Sequence, residues 1–85
     1  MATILRMDGT EEAMAVDKKG HLSLAEAQKA VGGWVELVRL GKGDGFLVNE
    51  EGLLQQLPLN PKASEMAGRY IVGNVVLVTR GEGWL

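Results

Sequence analysis

The chain of 85 residues contains no cysteine. That excludes a disulfide scaffold, a cysteine-ligated metal centre and a thiol nucleophile. Histidine occurs once, as His21, in a lysine- and glycine-rich turn. One imidazole with no partnered Ser or Cys offers no base–nucleophile pair, and Asp17 with His21 lacks a third metal ligand at usual spacing. No charge sign dominates, with nine Lys plus Arg against eleven Asp plus Glu and a formal net of −2. A nucleic-acid binder needs a basic face, so this balance argues against one. It is equally too mild for an acidic DNA mimic. Long apolar runs are missing too. Val75 to Val78 is only four residues, far from the roughly 18 of a membrane span. Met1 to Met7 is short and broken by Arg6 and then Asp8, so no secretory leader is expected and the cytoplasm is the default location.

What is present points to a small folded domain. The apolar content is 46%, ordinary for a globular chain. The length allows one domain, expected over residues 1–80, with a glycine-rich tail at 81–85. At this size the gain from burial and the cost of ordering nearly cancel, so association of several copies would add stability.

The apolar pattern is dense enough to place elements. Thr3 to Met7 reads as a strand, Asp8-Gly9 as the turn of a hairpin, and Glu12 to Val16 as the return. Lys18 to His21 reads as a turn. Ser23-Leu24-Ala25-Glu26 is a capping box: the Ser23 hydroxyl accepts from the Glu26 amide, and the Glu26 carboxylate reaches back. Leu24, Ala27 and Val31 share the apolar face of the helix that follows, and Gly32 ends it. Trp34 to Leu40 is apolar on both faces, which predicts a central strand. Gly41 to Gly45 is a loop and Phe46 to Val48 a strand. Asn49-Glu50-Glu51-Gly52 fits a turn, with Leu53 to Leu57 returning as a strand until Pro58. Asn60-Pro61 opens a second helix over Lys62 to Ala67, stopped by Gly68. Ile71 to Asn74 leads into a last strand, Val75 to Thr79. The order β-β-α-β-β-β-α-β predicts an α+β fold: one small, mostly antiparallel sheet with two short helices covering a face.

Chemistry has few places to hide. Glu11 and Glu12 are adjacent on a strand and therefore point to opposite faces. Glu50 and Glu51 lie in a turn, where solvated carboxylates are usual. The glycines of Gly41 to Gly45 match neither the phosphate-binding loop nor the dinucleotide pattern, although Lys42 and the loop amides present an anion with donors. Asn60-Pro61-Lys62 combines free amides, a positive helix end and a lysine, which suits a phosphate or carboxylate. Trp34 beside Gly32-Gly33 offers a stacking face. Lys42, Asn60, Lys62 and Trp34 are thus the candidate ligand-binding residues. No catalytic residue, metal site or cofactor is expected.

Four segments carry a resemblance: Val31-Gly32-Gly33-Trp34-Val35-Glu36, Val48-Asn49-Glu50-Glu51-Gly52, Leu57-Pro58-Leu59-Asn60-Pro61-Lys62-Ala63-Ser64 and Ile71-Val72-Gly73-Asn74-Val75-Val76. Together, over residues 31–78, they resemble the domain of unknown function numbered 3846, a family of small proteins carried by phages, plasmids and bacteria. Trp34 departs from it, standing where a tyrosine-like residue is expected. The resemblance transfers no catalytic residue. It implies a mobile-element accessory protein acting inside a bacterial host. The expected function is therefore a non-enzymatic protein that binds and modulates a host protein or process as a homo-oligomer. The alternative is a small-molecule binder that sequesters an anionic nucleotide between subunits.

Overall fold

A computed structural model describes residues 2–14, 22–41 and 44–78. The turn expected at 18–21, Lys42 and the tail at 81–85 lie outside these. Among the described residues one antiparallel five-stranded sheet is built from β1 (Ala2–Leu5), β2 (Glu11–Met14), β3 (Val35–Gly41), β4 (Asp44–Asn49) and β5 (Val75–Val78). Its order is β2-β1-β5-β4-β3. Two helices, α1 (Leu24–Val31) and α2 (Pro61–Ala67), complete the α+β fold.

Each helix forms where its capping residues direct. Ser23 is the N-cap of α1 and its hydroxyl accepts from the Glu26 amide; Gly32 closes the helix at φ 82°. At α2, Asn60 caps, Pro61 fills the first turn and Gly68 ends it at φ 67°. The left-handed backbone at both ends is one that glycine adopts without strain.

The helices lie on opposite faces, which corrects the expectation that both cover one. Ala27 and Val31 of α1 pack with Ala2, Met14, Leu47, Val76 and Val78. Ala63 of α2 packs with Leu5, Val38, Phe46, Val48 and Val75. Alternate residues of β5 therefore feed different cores, and Val75, Val76 and Val78 are all fully buried. A strand covered on both sides reads as an unbroken apolar run.

The strand order corrects the placement of Trp34 to Leu40. Val38 is buried on the α2 face and Val35 half-buried on the α1 face, but Leu37 is exposed, and β3 is an edge strand that pairs with β4 alone among the described residues.

The chain at Leu53 to Leu57 is not a strand either, so β4 is followed directly by a series of turns and then α2. Asn49 is the cause. Buried at the end of β4, its side chain accepts from the Glu51 amide (2.8 Å) and donates to Val31 O and to Gln55 Oε1 (3.1 Å each). The Gly52 amide turns back to Asn49 O and the Leu57 amide to Gly52 O. A Cβ at Gly52 would meet Val72 Cγ2 at 2.9 Å and Asn49 O at 3.3 Å, so a larger residue would push Val72 or the loop aside where it closes onto the approach to β5.

Candidate functional site

The fold sorts the sequence-predicted residues into different places. Lys42 lies outside the described residues. Asn60 is fully buried. Its Oδ1 accepts from the Ala63 amide (3.1 Å), and its Nδ2 donates to Leu5 O and Gly73 O (2.9 Å each). The residue is a cap and a cross-brace between α2, β1 and the start of β5, with its donors and acceptor spent inside the protein. Lys62 forms an ion pair with Glu11 of β2. Trp34 is 67% exposed, beside the opposite edge strand, and its carbonyl accepts from the Glu50 amide. Four inter-strand spacings, about 19 Å, separate β2 from β3. The fold does not gather Trp34 and Lys62 into one site.

Glu11 and Glu12 diverge as strand alternation requires. Glu11 pairs with Lys62 on the α2 face, whereas Glu12 pairs with Arg6 on the α1 face. In the connection between β1 and β2, the Thr10 hydroxyl and amide both donate to Asp8 Oδ1 (2.7 and 2.9 Å). These bonds, the hydroxyl's first, hold the Asp8 carboxyl below its ordinary pKa.

Two open clefts mark the surface. The first, of about 580 Å³, runs between α1 and the β1–β2 pair; Arg6, Glu12, Glu26 and Lys29 line it over Ile4 and Met14. Two cations face two carboxylates, and Arg6 and Glu12 neutralise each other. The second, of about 390 Å³, crosses the α2 face of β3 and β4 and is walled by the 50–54 turn and by Arg69 to Val72. Its rim carries Leu53, Leu54 and Tyr70, which are 73%, 82% and 70% exposed. Large apolar side chains grouped on one exposed rim mark an interaction surface. Sequence reasoning missed these residues because it drew Leu53 to Leu57 as a strand. The adjacency of Leu53 and Leu54 was the available signal: neighbours on a strand cannot both face one core.

This surface is an open cleft with an apolar rim. No curated protein and no solved structure matches the chain. A family profile does, covering residues 1–84 and so reaching past the four motifs to include the N-terminal hairpin, and by that match the chain belongs to the family described as Domain of unknown function (DUF3846).

Proposed function

We propose that the protein is a non-enzymatic accessory protein of a mobile element, which binds and modulates a host protein in the bacterial cytoplasm as a homo-oligomer. The observation that carries this reading is the exposed rim of Leu53, Leu54 and Tyr70 around the cleft on the α2 face. Its apolar area is what association removes from water. The small core of an 85-residue chain favours self-association for the same reason. The mobile-element context comes from the family resemblance. The nucleotide-sequestering alternative has less support: the larger cleft balances two cations with two carboxylates and offers an anionic ligand no net attraction.

The test is a double variant, Leu53→Lys with Leu54→Lys. Both side chains are solvent-exposed, so its circular dichroism should match the parent. Light scattering at micromolar concentration should show an oligomer for the parent and a smaller species for the variant. Affinity capture from host cells should retain a protein with the parent alone. A monomeric parent refutes the oligomer, and a captured protein indifferent to the double variant refutes the surface.

A further inference from the structure

The outer edge of β3, unpaired among the described residues, is a second recognition feature, and it borders the cleft that Leu53 and Leu54 rim. The Glu50 amide donates to Trp34 O (2.8 Å), so the backbone at Trp34 faces β4. Antiparallel alternation then turns Glu36 and Val38 toward β4 as well. It leaves the N–H and C=O groups of Val35, Leu37 and Arg39 directed outward, and no strand among the described residues pairs with that side. Natural sheets usually shield such an edge by making it short or charged. The other edge strand, β2, is short: four residues, with both glutamates held by cations. β3 has seven residues and is the longest strand in the sheet.

The edge is flanked by a recess on each face, apolar on the α1 side and mixed on the α2 side. On the α1 face, an apolar notch of about 90 Å³ brings Val35 and Leu37 together with Leu22, Leu24, Ala27 and Leu47. On the α2 face, Glu36 and Val38 form part of the floor of the cleft of about 390 Å³ that Leu53, Leu54 and Tyr70 rim. An added strand would place alternate side chains over these two recesses, the arrangement by which sheet edges read extended peptides.

Charge selects the occupant. Glu36 and Arg39 are exposed, stand on opposite faces by strand alternation, and make no ion pair among the described residues. A second copy of β3 in antiparallel pairing would bring Glu36 to the face that already carries Glu36, and Arg39 to the face that already carries Arg39. Like charges across neighbouring strands are unfavourable. A strand with the reverse pattern, basic on the α2 face and acidic on the α1 face, is complementary.

We infer that the outer edge of β3 takes up an extended segment of a different protein, apolar at the positions opposite Val35, Leu37 and Val38, basic opposite Glu36 and acidic opposite Arg39. This rests on the binding reading above and names the partner's chemistry.

The probe is a blocked synthetic peptide with the core Asp-Val-Ile-Lys-Val, which places Asp opposite Arg39 and Lys opposite Glu36 in antiparallel register. Its control, Lys-Val-Ile-Asp-Val, exchanges the charges. Amide hydrogen exchange should slow at Val35, Leu37 and Arg39 when the first peptide is added, while Glu36 and Val38, already bonded to β4, change little. The control should bind about tenfold more weakly, and a protein carrying Glu36→Lys with Arg39→Glu should reverse the preference. Unchanged exchange at millimolar peptide overturns the inference, as does equal affinity for both peptides. Protection at the same amides that rises with protein concentration alone would also overturn it, because a second copy would then hold the edge. If the peptide fails while the Leu53–Leu54 variant still loses its captured protein, the edge is refuted and the binding reading stands.

Discussion

Single side chains do much of the organising in this domain, and two asparagines do most. Asn60 combines a helix cap with two bonds to buried carbonyls. Asn60→Ala loses the cap and strands Leu5 O and Gly73 O, so urea unfolding should show a loss of about 3 kcal/mol. A loss below about 1 kcal/mol would mean that the brace is dispensable. Asp8 supplies a pH-dependent term of smaller reach. Its folded pKa lies below the ordinary value of 3.8, so its contribution is complete above that value and disappears as pH falls through the lower, folded one. The Thr10 amide shift should therefore titrate with a midpoint below 3.8 and stop doing so in Asp8→Asn. A midpoint at or above the ordinary value would contradict the two Thr10 hydrogen bonds. Asn60 also shows where reading residues stops short. An Asn-Pro pair marks a helix start in any context, and the structure agrees. That the same amide would be consumed by two carbonyls depends on Leu5, far away in sequence, and no local pattern reports it.

At the level of elements, what was legible is what is locally determined. The capping serine, the helix-ending glycines and the hairpin at Asp8-Gly9 all lie where the sequence places them, because each depends on neighbours within a turn. Ser23→Ala should accordingly cost about 1 kcal/mol, measured by thermal or urea unfolding, and an unchanged midpoint would show that α1 is held by packing alone. Two elements were misplaced for a common reason. The apolar residues on both faces of Trp34 to Leu40 carry no information about whether both of its edges are paired, and Leu37 stays exposed on one face. Leu53 to Leu57 sits between a turn signal and Pro58 as a hairpin return would, yet Asn49 curls that segment through bonds to Glu51 and Gln55 and leaves Leu53 and Leu54 in solvent. The candidate site went unread with it, since the rim exists only because the chain turns there.

For the whole molecule, the five strands form a partition between two cores. Val76 belongs to the one beneath α1 and Val75 to the one beneath α2. Since the same strand serves both, the two should not unfold separately. Val75→Ala and Val76→Ala should each lower stability by about 2 kcal/mol, and in each variant tryptophan fluorescence and circular dichroism should follow one coincident transition. Two separated transitions in either variant would show that the cores are independent. The two borders of that partition differ in kind. At β2 the sheet ends in four residues whose glutamates are tied to Arg6 and Lys62, and at β3 it ends in a seven-residue strand whose outward side meets no strand among the described residues. The two borders are thereby unequal: the seven-residue one offers an added strand a longer row of backbone groups than the four-residue one. Because a second copy does not match the charges of the β3 border, a strand added there from a different protein gives a complex of fixed stoichiometry.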